Sequence, residues 1–357
     1  MRANEPTLKS IASKLGITHT TVSNVYNNPA KVSVALRHKI LAYAASVNYF
    51  GPNPTARSLK TGSCGAIGII FNDQLSYAFT DPHDVAFLHG VSAVCEVSGT
   101  NIVLIPLATK APNALKSITA IVDGYILNAP YKNNPATKRA LAGGLPTVVV
   151  DFDASTHTSV LINDLEVMTE VSRHILSLGH KHVGIITFPH HERGHELFDI
   201  SRAISPDNYV VSQRLLGCRR AFKSAKIKLS NVLVCEAPNS AEGGKEAVDR
   251  IFEKNPSVTA FICFSDRLAY GAMSRCRQLG LKIPKNISVT GFNDLPPMDR
   301  EAGLPRLTTV KQDAFEKGRK AAEALLHNNG VNGRRVNIDA EFVLGDSTGK
   351  CQRRGAK

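Results

Sequence analysis

Hydrophobic residues recur with two different periods along this chain, and the change from one to the other falls at Gly62. Before it, Leu8, Ile11, Ala12 and Leu15 stand at i, i+3, i+4 and i+7, the spacing of one helix face. Gly16 suits the turn that ends such a helix, and Thr18 is placed to cap the next, with Ile17, Val22 and Val25 facing inward. Ser33 opens a third helix, whose buried side is Leu36, Ile40, Ala44 and Val47. Asn53 at the N-cap, Pro54 at the first helical position and Gly62 past the end bracket a short helix over 54–60.

After Gly62, β-branched apolar runs alternate with helix-length segments. Strands are predicted at 66–71, 101–107, 120–127, 146–152, 182–188, 232–237, 259–265 and 287–292. Helices are predicted near 83–97, 165–178, 212–225, 240–253 and 266–279. Continuous apolar strands separated by helices imply parallel sheet covered on both faces. So many units predict two doubly wound subdomains, which bind ligands in the crevice beyond the strands' carboxyl ends. The expected domains are 1–50, a linker at 51–62 and a core at 63–350, followed by a basic tail at 351–357. Within the core the chain is expected to cross between subdomains near 152–164, 293–313 and 335–345.

The chain's 357 residues are enough for two or three domains. No run of about 18 apolar residues exists, so no membrane span is expected, and the first residues carry no apolar signal-like segment. The seven cysteines are scattered, without a C-x-x-C pair, which fits a reducing, cytoplasmic setting. Charge changes the picture more. Residues 1–60 hold eight Lys and Arg against the single acid Glu5, over half of the chain's net +13. A basic N-terminal module on a milder body points to a polyanion, although a merely solvated face has the same composition.

Two short helices joined by a glycine turn on such a module match a helix-turn-helix. Its second helix, in "GITHTTVSNVYNN", carries hydroxyls and amides but no formal charge. His19, Thr20 and Asn24 project toward base edges in that geometry, and Asn pairs bidentately with adenine. Thr18, Thr21 and Ser23 are candidates for phosphate contacts. The segment 7–62 resembles the DNA-binding headpiece of the lactose-repressor (LacI/GalR) family. The matching pieces are T-L-x-x-I-A at 7–12, G-I-T at 16–18, T-V-S at 21–23, V-S at 32–33 and P-N-x-x-A-R-S-L at 52–59. The resemblance implies base contacts from His19, Thr20 and Asn24, and backbone contacts from Thr7, Thr18, Thr21, Ser23, Asn27 and Ser33. It also implies that 54–60 is a hinge helix at the minor groove, with Leu59 as an apolar wedge that kinks the duplex.

The body resembles the same family's effector domain, related in fold to periplasmic sugar-binding proteins. The matching pieces include "VDGYIL", "LPTVVVD", "LGHKHVGIIT", "TAFICFSDRLAYGAM", "ISVTGFND" and "LTTVKQD". The resemblance implies a ligand cleft using Asp151, Arg214, Ser265, Asn293 and Gln312. Tyr77 and Phe79, in the first strand–helix loop, are candidates to stack on the ligand or simply to pack. The family usually has Asn where Ser265 stands and Asp where Asn293 stands, so the ligand's polar pattern should differ from that of the common sugar inducers. The segment 108–119 is short for the family and 189–213 is long. Inside the latter, His191, Glu192 and His195 fit H-E-x-x-H, but Pro189 and Gly194 disfavour the helix a zinc site needs.

These readings converge on an all-α helix-turn-helix headpiece plus an α/β periplasmic-binding-protein-like core. The expected function is a cytoplasmic, homodimeric, sequence-specific transcriptional repressor on a pseudo-palindromic operator, controlled by a sugar or nucleoside-like effector, with no cofactor, metal or enzyme activity. The rivals are a small-molecule-binding protein without DNA function and a metal-dependent hydrolase using His191, Glu192 and His195.

Overall fold

Thr7 starts the first helix, α1 (Leu8–Leu15), through a reciprocal cap. Its Oγ1 accepts from the Ser10 N–H at 3.1 Å, and Ser10 Oγ accepts from the Thr7 N–H at 2.8 Å. Gly16 ends the helix at φ 65°, a backbone angle that costs glycine little, and the chain turns into α2 (His19–Asn27). Thr18 caps α2 by accepting from Thr21 N–H at 3.1 Å, and Ser33 caps α3 (Val34–Ser46) by accepting from Leu36 N–H at 3.4 Å. Ile11, Val22 and Ile40 are enclosed where the three helices meet, with Leu8, Leu15, Ile17 and Leu36 packed around them.

In this computed structural model the described residues are 6–52, 62–71, 75–106, 121–190, 194–298, 303–328 and 333–352. They divide into two units, Met1–Gly65 and Ala66–Lys357. The predicted hinge helix at 54–60, with Leu59, lies outside the described residues, as do His191 and Glu192.

The second unit holds two main sheets. The first joins β1 (Ala66–Phe71), β2 (Asn101–Pro106), β3 (Tyr125–Asn128), β4 (Thr147–Val150), β5 (Thr158–Leu161) and β12 (Arg335–Asn337) in the order β12-β5-β4-β3-β1-β2, all parallel. The second joins β6 (Val183–Thr187), β7 (Leu197–Asp199), β8 (Val232–Glu236), β9 (Ala260–Cys263) and β10 (Ser288–Thr290) in the order β10-β9-β6-β8-β7. Only the edge strand β7 runs antiparallel to its neighbour. A two-stranded ribbon, β11 (Thr309–Gln312) with β13 (Ala340–Val343), completes the set.

The helices of this unit are α4 (Leu75–Ala78), α5 (Pro82–Ser98), α6 (Pro135–Ala142), α7 (Asp164–Ser177), α8 (Tyr209–Ser224), α9 (Ala241–Lys254), α10 (Asp266–Gln278) and α11 (Ala314–Asn328). They pack in pairs, α5 with α11, α7 with α8 and α9 with α10. The first pair interlocks through glycines. A Cβ on Gly90 would meet the Phe315 carbonyl at 2.0 Å, and one on Gly318 would meet the Phe87 carbonyl at 2.0 Å.

The predicted strands and helices of the core are present, with the strand expected at 120–127 starting only at Tyr125. The elements β5, β7, β12, β13, α4, α6 and α11 went unpredicted. The inward side of α11 is built from Ala314, Lys317, Ala321, Ala322 and Leu325, so small residues and a cation erase the apolar stripe that marks a helix. The unpredicted strands β5, β7, β12 and β13 are three or four residues long, too short to show a period.

Candidate functional site

The first candidate surface is the exposed side of α2. No charged residue lies in its sequence HTTVSNVYN, and Val22 and Val25 are its buried residues. His19 and Thr20 are exposed and Asn24 is half-buried on the same helix. The predicted phosphate contacts Thr7, Thr18 and Ser33 prove to be the N-caps of α1, α2 and α3. Each uses its oxygen as an acceptor for a backbone N–H. Helix N-termini favour anions because their N–H groups and dipole point outward. Thr18 and Thr21 also bond through their hydroxyls at 2.9 Å, and Asn27 Nδ2 donates to Ser23 Oγ at 3.0 Å. The chain around α2 is therefore braced by its own polar side chains.

The second candidate is a cleft of about 540 Å³ in the second unit, at the carboxyl ends of strands from both main sheets. That volume is typical of small-ligand sites. Tyr77, Asp151, Arg214, Ser265, Asn293 and Gln312 all line it, so six of the seven predicted effector residues are brought together. Phe79 is the exception. The short α4 turns Tyr77 into the cleft and leaves Phe79 58% exposed outside it, so the expected stacking role for Phe79 does not hold.

Three strands end at the cleft in backbone angles that residues other than glycine seldom take: Ala129 at φ 46°, Asp151 at φ 52° and Asn293 at φ 112°. Such strain is maintained by surrounding contacts and clusters at functional sites. At Asp151 the contact is Lys317, whose Nζ donates to both carboxylate oxygens at 2.6 and 2.8 Å. At Asn293, Oδ1 accepts from Gln312 Nε2 at 2.5 Å, and the Oε1 of Gln312 is buried without a partner among the described residues.

Arg214 is only 5% exposed. Its Nε donates to Asp164 Oδ1 at 2.7 Å, its Nη1 donates to the Phe264 carbonyl at 2.6 Å, and the guanidinium lies 3.4 Å over the Phe292 ring. Burial raises the Asp164 carboxyl above its ordinary range, and the neighbouring Arg214 charge draws it back in part. Ser265 uses its hydroxyl twice, donating to Asn239 Oδ1 and accepting from Leu268 N–H at 3.2 Å as the cap of α10. It is a structural bracket at the cleft wall.

Two bridges join the walls. Tyr77 Oη donates to Asp81 at 2.5 Å and accepts from Asn239 Nδ2 at 2.9 Å. On the other side, Lys132 N–H and Asn133 N–H donate to the Asp207 carbonyl and carboxylate, each at 2.8 Å, and Tyr131 Oη donates to the Pro189 carbonyl at 3.2 Å. The long segment 189–213 thus supplies one bridge. Its base is pinned by Glu236, which accepts from the His190 ring, from His190 N–H at 2.9 Å and from Glu196 N–H at 3.1 Å. Burial opposes the Glu236 charge, but these donors outweigh it and hold the carboxyl below its usual range. Asn239, Asp207, Glu236 and Lys317 were not singled out from sequence, where they sit in no recognisable spacing.

His195 lines the cleft from a non-helical segment next to β7, not from a helix face. Among the described residues no group of three His, Cys, Asp or Glu side chains is placed to hold a metal ion. No helix is long and apolar enough to cross a membrane, again among the described residues.

Residues 7–53 match the lacI family of bacterial regulatory proteins, and residues 172–348 match a periplasmic binding protein-like domain. An HTH-type transcriptional regulator of Mycolicibacterium smegmatis is 34% identical over 357 residues, covering 96% of each chain. The ribose operon repressor of Haemophilus influenzae is 28% identical over 350 residues, covering 96% of this chain and 98% of its own. The solved structure of the lac repressor dimer bound to operator and the anti-inducer ONPF has the same fold. It aligns with a TM-score of 0.76 at 22% identity, over 97% of this chain and 100% of that one.

Proposed function

This chain belongs to the lacI family of bacterial regulatory proteins and is a DNA-binding transcriptional regulator, and we propose that it is a homodimeric cytoplasmic repressor whose hold on a pseudo-palindromic operator is set by a sugar or nucleoside-like effector in the cleft. The observation that carries this reading is the uncharged, hydroxyl- and amide-bearing face of α2 on a basic unit. His19, Thr20 and Asn24 read bases, while Thr7, Thr18, Thr21, Ser23, Asn27 and Ser33 meet the backbone beside three helix N-termini. One such unit reads one half-site, so a dimer reads two. Leu59 acts as the wedge between central base pairs.

The effector class is supported by the ribose operon repressor among the relatives and by the polar inventory of the cleft. Tyr77, Asp151, Arg214, Asn293 and Gln312 contact the effector, whereas Ser265 holds the wall. The operator is found by selecting bound duplexes from a random pool, with and without D-ribose and guanosine. The selected sites are expected to be pseudo-palindromic. Asn24→Ala is expected to erase the preference at one base pair per half-site, worth about 1–3 kcal/mol, while nonspecific binding persists. A pool that returns no preferred sequence, or an unchanged preference in Asn24→Ala, overturns the assignment.

A further inference from the structure

Lys317 is 1% exposed and is one of the largest fully enclosed side chains in the protein. Its buried neighbours along α11, including Ala314, Ala321 and Leu325, are apolar, so helix packing alone does not call for a cation there. A buried ammonium is costly unless it is paired. Here its ammonium donates to both oxygens of one group, the Asp151 carboxylate at the floor of the cleft. That floor also holds the Arg214–Asp164 pair, so its two cations and two anions are already matched. At the rim, Asp81 and Asp84 stand at the N-terminus of α5, where the helix dipole offsets their charge.

We propose that Lys317 is a positioning residue for the effector: it fixes the Asp151 carboxylate so that its remaining lone pairs face the cleft and receive hydroxyl or N–H donors from an uncharged ligand. The proposal rests on the effector reading of the cleft given above. A carboxylate offers about four acceptor sites, and the ammonium takes one on each oxygen. Beside it, Arg214 uses Nε and Nη1 within the protein and, among the described residues, leaves Nη2 to serve as a donor, and Gln312 Oε1 serves as an acceptor. The charged and titratable groups around Asp151 are Lys317 from α11, Asp164 at the start of α7, and Tyr209 and Arg214 from α8. Without Lys317 the carboxylate lacks its counter-charge in a buried site. It then takes up a proton and shows the ligand a donor where an acceptor is needed.

The test is titration calorimetry on the full-length protein at pH 6, 7 and 8. The probes are the uncharged D-ribose, cellobiose and guanosine and the charged ribose 5-phosphate and glucosamine. Wild type is expected to bind an uncharged probe with little dependence on pH. Lys317→Met is expected to bind it at least tenfold more weakly at pH 6 and to recover toward pH 8, a pH response that a purely structural lysine does not create. If that variant does not unfold cooperatively, the doubly neutral Asp151→Asn/Lys317→Met serves instead, with an expected loss of at least tenfold and no pH response. Wild-type binding by whichever variant is used overturns the role of Lys317. Binding of only the charged probes overturns the uncharged ligand but leaves the effector reading standing. Silence from all five probes overturns the effector reading itself, and the proposal with it.

Discussion

Thr18 shows how a single side chain serves both stability and recognition. Its oxygen closes the first turn of α2, and the same hydroxyl stands at a helix N-terminus where a phosphate is favoured. Thr18→Ala is expected to destabilise the N-terminal unit by about 1 kcal/mol and to weaken DNA binding evenly across sequences, whereas Thr18→Ser keeps both. Chemical denaturation and binding titrations at fixed salt check this. A base-specific loss in Thr18→Ala would contradict the backbone assignment. Thr18, Ser33, Asp151 and Gln312 were legible in the sequence because each sits in a short local motif or at a strand end. Lys317 was not, because its partner Asp151 lies 166 positions away and only the fold joins them. Phe79 misled for the opposite reason: it is two residues from Tyr77, and a single turn of helix sends the two rings different ways.

Elements were readable where they carried their own signal, the helical period of α1 or the continuous apolar runs of β1, β6 and β9, and unreadable where tertiary contacts define them. The segment 344–352 is a case of the second kind. It has no regular structure, yet it is stitched across the second sheet by side chains. Ser347 Oγ accepts from Thr308 N–H at 2.8 Å and donates to the Val289 carbonyl at 2.6 Å. His180, 2% exposed, meets Thr259 Oγ1 at 2.9 Å and the Gly349 carbonyl at 3.0 Å, and His174 meets Thr348 Oγ1 at 2.9 Å. Burial pushes both rings below the ordinary histidine value of 6.5, and it lowers His157 as well. The unfolded chain therefore takes up protons before the folded one does. The stability these neutral rings contribute is complete above about pH 6.5 and is lost as pH falls through the folded values. Between pH 7 and pH 5 the thermal midpoint of the wild type is expected to fall relative to that of His180→Gln, a difference that leaves out the buried carboxyls Asp164 and Asp266, whose raised values act with the opposite sign in both proteins. Equal pH slopes in the wild type and His180→Gln would contradict the burial argument.

At the scale of the whole molecule, the bridges across the cleft decide how its occupancy is felt elsewhere. Tyr77 with Asn239 closes one side, and Asp207 with the 132–133 backbone closes the other. Both bridges join segments that follow strands of different sheets, so each holds the two walls together without a ligand. A ligand that spans the walls adds to the same closure and must favour the closed state over the open one to have any effect. Asp207→Ala removes the acceptor of the Asn133 N–H, a loss of about 1 kcal/mol, and shifts the balance toward opening. Effector affinity is then expected to fall about fivefold, since closure must be driven by binding. Linkage makes the consequence at DNA a matter of sign. Whatever the effector does to operator affinity in the wild type, Asp207→Ala without effector is expected to move it the opposite way. Fluorescence anisotropy on the selected operator reads both shifts in one experiment. An inducer-responsive protein would show tighter operator binding in Asp207→Ala, and a corepressor-responsive one weaker. Should the variant and the effector move the operator affinity in the same direction, closure of this cleft is not the signal that reaches DNA.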